Sequence, residues 1–239
     1  MRQFHCRMMS EPKECMTKLA CIFLEMYKVC LMKTLQNYLE DLRGLDRSQS
    51  DLAMTIVKAN EGKFYSLDFL FLAALNRSRS SVDAFTHLIE RENYFGAAPF
   101  IRMQLDSVLR LHALRLADDP NSLSHDILKG EPLDKKKDRT GERMTDAYLR
   151  KVVAKNHPWI NRVYESGSGF IHLSEKHIFS LFSEVGDAGR FQITIAPTQK
   201  HIPEKSRIEA IAAMSHLTQL VIELCSDWAE EKLRIPDAN

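Results

Sequence analysis

Nine residues between positions 64 and 88 constrain the fold more than any others. Phe64, Leu67, Phe71, Ala74, Leu75, Ser78, Val82, Phe85 and Leu88 recur three or four apart. At about 3.6 residues per turn that spacing predicts one continuous stripe along a helix of about 30 residues. Other elements have to cover a stripe so long.

The same period returns twice. Residues 95–117 predict a second long helix, with Ala98, Ile101, Leu105, Val108, Leu109, His112 and Leu116 on its apolar face and Pro99 near its start. A final helix follows Pro203, with Ile208, Ile211, Ser215, Thr218, Val221, Ile222, Cys225 and Trp228 on one wide face, and stops before Pro236. Upstream, residues 12–43 read as one helix ending near Gly44, and residues 50–60 as a short piece. Met144, Tyr148 and Val152 place a helix over 142–155, with one or two more turns over 159–165. Nine glycines and eight prolines in 239 residues suit long helices better than a turn-rich β fold.

Between these helices the pattern breaks. Residues 121–141, centred on GEPLDKKKDRTG, are polar and read as a loop with room for one short helix. The glycines and serines of 166–169 favour a turn. HIFSLFSEV and RFQITIAP flank GDAG, and Phe191, Ile193 and Ile195 alternate with Gln192 and Thr194, which predicts a β-hairpin. The expected fold is mainly α: a single helical-bundle domain of long helices, with a small β-hairpin inserted before the C-terminal helix. Residues 1–61 form an N-terminal helical region packing on a core of 62–239.

Charge and cysteines narrow the function classes. Lys+Arg at 33 against Asp+Glu at 32 leaves +1, which argues against a broad nucleic-acid surface or an anionic membrane as partner. Cys6, Cys15, Cys21, Cys30 and Cys225 form neither a disulfide framework nor a zinc pattern, so reduced thiols in the cytoplasm are expected. Residues 19–32 (LACIFLEMYKVCLM) are interrupted by Glu25 and Lys28 and fall short of the roughly 20 apolar residues that span a bilayer. They read as a core-facing helix. Together with the wide face of residues 208–228 they lead us to expect a homodimer.

No cofactor motif is present, and no cofactor or metal is expected. In SGSGFIHLSEKHIF (residues 166–179), His172 and His177 stand five apart. On a helix that step separates the rings by about 140°, and on a strand it puts them on opposite faces. They cannot form a two-ligand clamp on one regular element. His172 is instead expected to face a polar pocket from a bent backbone, beside the stripe Arg102, Asp106 and Arg110 on the second long helix. That stripe reads either as exposed ion pairs or as a buried Arg–Asp pair bordering a cleft. KKKDR (residues 135–139) reads as a solvated connection.

Two resemblances add to this. Arg150 and His157 in RKVVAKNHP are similar to the R-x(4–6)-H signature of the higher-eukaryote-and-prokaryote nucleotide-binding (HEPN) superfamily. It implies a helical, dimeric, metal-independent endoribonuclease or toxin, with Arg150 binding phosphate and His157 in acid–base work. More broadly, FIRMQLDSVLRLHAL, DRTGERMTDAYL and VYESGSGFIHLSEKH resemble a family of bacterial all-helical proteins over about residues 62–235. That resemblance carries no activity. Its recognisable positions are Arg102, Asp106, Gly141, Asp146, Tyr164, His172 and His177. The function expected is a helical module that binds a protein or small ligand, in phage defence or regulation, with Arg102, Asp106 and His172 at its centre and Tyr164 and His177 on the ligand. The alternative is the ribonuclease, with an RNA partner.

Overall fold

In a computed structural model, residues 33–172, 174–179, 181–185 and 190–236 are described. The cysteines of the first 30 residues and the apolar stretch 19–32 lie outside them.

The first helix, α1 (Leu35–Lys58), opens on a reciprocal cap. Thr34 Oγ1 accepts from the Asn37 N–H at 3.3 Å, and the Thr34 N–H donates to Asn37 Oδ1 at 2.9 Å. The helix runs straight through Gly44, where the sequence predicted an end. Glycine costs a helix interior about 1 kcal/mol. Continuity keeps Leu39, Leu42, Gln49 and Ile56 on one buried face, and that outweighs the cost.

The predicted stripe becomes α2 (Ser66–Glu90), and the next period becomes α3 (Tyr94–Leu116). The direction of each helix follows from its cross-links. Arg43 pairs with Glu90 and Arg79 with Asp46, so α2 runs antiparallel to α1. Buried Gln104 of α3 donates to Ser78 Oγ of α2 at 2.5 Å and to Thr218 Oγ1 of the last long helix at 3.1 Å. Ser78 and Thr218, two of the polar members of the apolar stripes, are thus partners of one buried amide.

The last long helix (Glu204–Leu233) buries Ile211, Met214, Leu217, Val221 and Cys225 completely. By length and composition it could cross a membrane, but here it is the central core helix, packed on α1, α2 and α3. Burial pushes the Cys225 thiol up to about 12. At its C-terminal end Lys232 and Asp68, each 0% exposed, form an ion pair of 2.9 Å that links it to the start of α2. Asp68 also accepts from Trp228 Nε1 at 2.8 Å, and Lys232 donates to the Ile56 carbonyl at 2.7 Å.

Shorter elements lie across this core. Within the predicted polar loop, α4 (Pro120–Leu128) starts with proline at its first position and Asp119 as cap. The rest of the loop is more ordered than a solvated connection. Asp138, 6% exposed, accepts from the Thr140 hydroxyl and the N–H groups of Thr140 and Glu142, and from Tyr148 Oη. Burial opposes its charge, but these bonds prevail and hold the carboxyl near 2. Helix α5 (Asp146–Val153) begins later than its periodicity predicts, because Thr145 caps it, and it buries Leu149 and Val153.

Helix α6 (Trp159–Ile171) corrects the sequence reading most. Residues 166–169, expected to turn, are helical throughout. Gly167 is used for close approach instead: a Cβ there would stand 3.3 Å from Arg102 Cβ. Helix α7 (Glu175–Phe179) takes residues 177–179, which the sequence had assigned to a strand. Beyond it, β1 (Phe182–Val185) pairs antiparallel with β2 (Arg190–Ile193), Phe182 opposite Ile193 and Val185 opposite Arg190. Residues 186–189, between them, lie outside the described residues. The last long helix is then α8 (Glu204–Leu233), and the protein is mainly helical.

Candidate functional site

The stripe on α3 faces α5 and α6, and its charges pair across elements. Arg102 donates to Asp146 Oδ2 at 3.2 Å, and Arg110 to Asp146 Oδ1 at 2.9 Å. Asp106 pairs with Arg110 at 3.2 Å and with Arg77 of α2 at 2.9 Å. The result is an alternating chain, Arg102–Asp146–Arg110–Asp106–Arg77. Of the two sequence alternatives, the i,i+4 pair is realised only between Asp106 and Arg110. The Arg102 side chain is 11% exposed, against 23–41% for the other four. The Arg102 end is therefore the least screened by solvent.

Tyr164 of α6 joins that end. Its ring centre lies 4.4 Å from the Arg102 guanidinium carbon and 4.7 Å from that of Arg150 on α5. Such contacts contribute about 0.5–2 kcal/mol each. Two like charges tolerate this closeness because Asp146 serves Arg102, and Glu165 stands 3.6 Å from Arg150. Arg150 Nε is buried and meets no acceptor.

On the other side of Gly167 lies a cavity of about 390 Å³. Its wall is apolar, built by Phe85 and Ile89 of α2, Ala98 and Ile101 of α3, and Val163 and Ala210 of α6 and α8. Polar side chains complete the lining: Tyr94 of α3, Arg162 and Ser166 of α6, and Ser206, Arg207 and Glu209 of α8. Tyr94 is 7% exposed; its buried O–H finds no acceptor, and the donor-only guanidinium of Arg207 is close enough to act on the phenol oxygen. The Arg207 guanidinium carbon lies 5.4 Å from the Tyr94 ring centre, and Arg207 Nε–H donates to the Ile202 carbonyl at 3.2 Å. Burial raises the Tyr94 pKa, Arg207 opposes it, and burial prevails, so the phenol stays a proton donor.

The other predicted residues distribute as follows. His172 caps the C-terminus of α6 and is exposed, five residues past the Gly167–Arg102 contact. Arg102 is engaged by Asp146, Tyr164 and the α6 backbone at Gly167. His177 of α7 is half-buried in an aromatic group with Phe95 at 5.4 Å and Phe170 at 6.0 Å, both of which also line the cavity. Arg150 turns toward Tyr164, whereas the His157 ring lies 6.3 Å from Trp159. His157 also bears on His112, whose Nε2 is buried and unpartnered. Burial first, then the charges of His157 and Arg115, lower the His112 pKa to about 4.

Tyr94 and Arg207 escaped the sequence reading. Each lies in the first turn of a long helix, outside its dominant stripe, and their meeting joins positions 113 residues apart (207 − 94). A tyrosine opening a helix was the one available signal. Among the described residues, no group of three or more His, Cys, Asp or Glu could hold a metal ion. Comparison of the chain with protein-family models, curated proteins and solved structures finds no match.

Proposed function

We propose that this protein is a helical binding module whose ligand site is the cavity bounded by α2, α3, α6 and α8. The observation that carries this is a buried tyrosine whose O–H finds no acceptor, at the wall of a mainly apolar cavity of about 390 Å³. An orphaned buried donor costs roughly 1–3 kcal/mol, and a bound acceptor recovers it. The volume falls within the range of small-molecule sites, about 300–1,000 Å³. The Arg102–Tyr164–Arg150 group supports the wall from behind, because Arg102 seats Gly167 of α6 against α3. In this reading Arg102, Asp106 and Tyr164 position the site, and His177 belongs to the aromatic group beside it.

The test is thermal unfolding with decan-1-ol as a neutral apolar probe. Binding to the native state alone adds about 2.7 kcal/mol at a hundredfold excess over Kd, so the midpoint is expected to rise with concentration. Ala210→Phe, which projects into the cavity, is expected to abolish the rise. A midpoint insensitive to the alcohol in the wild-type chain would refute the reading.

The ribonuclease alternative needs Arg150 and His157 to serve one phosphate. Arg150 is engaged by Tyr164 and Glu165, and His157 by Trp159 and His112, so binding is the reading we put forward. A role in defence or regulation, in the cytoplasm, accompanies it. So does closure of β1 and β2 into a hairpin inserted before α8.

The homodimer stands on different residues than the sequence implied. The wide face of α8 is consumed within the chain. Exposed Ile171 (49%), Ile178 (52%), Ile193 (60%) and Ile195 (89%) instead offer apolar surface near the β pair. Light scattering is expected to give twice the 27.5 kDa of one chain, and Ile193→Lys with Ile195→Lys to give a single chain. A wild-type mass of one chain at micromolar concentration would remove this element.

A further inference from the structure

Resting on the cavity as the ligand site, we infer that its ligand class is an amphipathic monoanion: an apolar body ending in a single carboxylate, held by Tyr94 and Arg207.

Three observations converge. The first is geometric: Tyr94 and Arg207 lie together on the cavity wall, the guanidinium carbon 5.4 Å from the ring centre, while Phe85, Ile89, Ile101 and Val163 offer no polar side-chain atom to a bound tail. An apolar body packed on those four leaves its head to reach the paired donors. The second is chemical. The phenol of Tyr94 is buried and protonated, and Arg207 Nε–H is already used by the Ile202 carbonyl. What remains for a ligand is an O–H donor and the outer N–H groups of a guanidinium. A carboxylate takes both donors with its two oxygens and neutralises the guanidinium charge.

The third observation is charge. Of the lining side chains, Arg162 and Arg207 are positive and Glu209 negative, which sums to one positive charge. Glu209 and Arg162 are exposed, whereas Arg207 is half-buried beside Tyr94, so the least solvent-screened of the three charges is a cation. A single negative head is matched there. An ammonium head would meet the like charge of Arg207, and a neutral alcohol would satisfy Tyr94 while leaving the cation unmatched.

The experiment is calorimetric titration of the full chain with decanoate, decan-1-ol and decylamine, which share one tail and differ in the head. Decanoate is expected to bind about tenfold or more tighter than the alcohol, the size of one hydrogen bond to a charged group. Decylamine is expected to bind more weakly than the alcohol. Arg207→Met is expected to bring decanoate to within a few-fold of the alcohol, and Tyr94→Phe to weaken both decanoate and the alcohol, which share that donor, with circular dichroism confirming that both variants fold. Equal affinity for decanoate and decan-1-ol, or decanoate affinity indifferent to both substitutions, would overturn the anionic head and leave the apolar site standing. Failure of all three probes to bind would overturn the site and the inference together.

Discussion

Asp68→Ala is expected to lower the unfolding free energy by about 3–5 kcal/mol, the usual consequence of stripping one partner from a buried ion pair. Asp68 and Lys232 are both 0% exposed, so neither charge has water to fall back on. Loss of the carboxylate leaves the Lys232 ammonium with the Ile56 carbonyl as its hydrogen-bond acceptor, beside the faces of Phe64 and Tyr65 at 5.5 and 5.7 Å. It also orphans Trp228 Nε1 and the Tyr65 N–H. Lys232→Met is expected to cost less, because the carboxylate keeps those two N–H donors. The pair joins the start of α2 to the end of α8, and typical domains hold only about 5–15 kcal/mol in total. Urea unfolding followed by circular dichroism measures both variants. A loss below about 1 kcal/mol for Asp68→Ala, or a larger loss for Lys232→Met, would contradict this account.

Acid is expected to destabilise the protein through His112 before the carboxylates finish titrating. In the unfolded chain the ring titrates near its ordinary value of about 6.5. In the fold, burial and then the nearby His157 and Arg115 lower it to about 4. Between these values the unfolded state holds a proton that the native state refuses, so stability falls as pH falls from about 6.5 to about 4 and this contribution levels off below. Above about 6.5 both states are neutral and His112 adds no pH dependence. At about 1.4 kcal/mol per pH unit, the whole window is worth about 3 kcal/mol. His112→Phe keeps a flat ring in the same space without the basic nitrogen. Its stability, measured by urea unfolding at several pH values, is expected to vary less than the wild type across that window, and to match the wild-type slope above pH 7. Parallel slopes for the two proteins between pH 6.5 and 4 would show that His112 does not carry the effect.

His112 also illustrates what was legible. Its place on the apolar face of α3 follows from spacing alone, and the structure puts it there. Its depressed basicity does not follow, since that depends first on how deeply the bundle buries the ring and then on His157 arriving from the turn after α5. The polar residues of the stripes behave alike. Ser78 and Thr218 appear in the sequence as gaps in greasy faces, and only the crossing of α2, α3 and α8 shows that both serve Gln104.

The helical class and the courses of α2, α3 and α8 follow from the sequence alone, because a period of 3.6 is a local property that any one helix carries. The sequence could not determine whether Gly44 or the glycines of 166–169 break a helix. Glycine is only about 1 kcal/mol unfavourable inside one, and packing on the far side decides. At Gly44 continuity buried a whole face of α1. At Gly167 the missing Cβ lets α6 approach Arg102, so a residue that reads as a turn signal serves as a contact. The candidate site belongs to the tertiary structure for the same reason. Arg102 finds Asp146 across 44 residues and Tyr94 meets Arg207 across 113, and no local pattern records which charges and hydroxyls the bundle will bring within reach of one another.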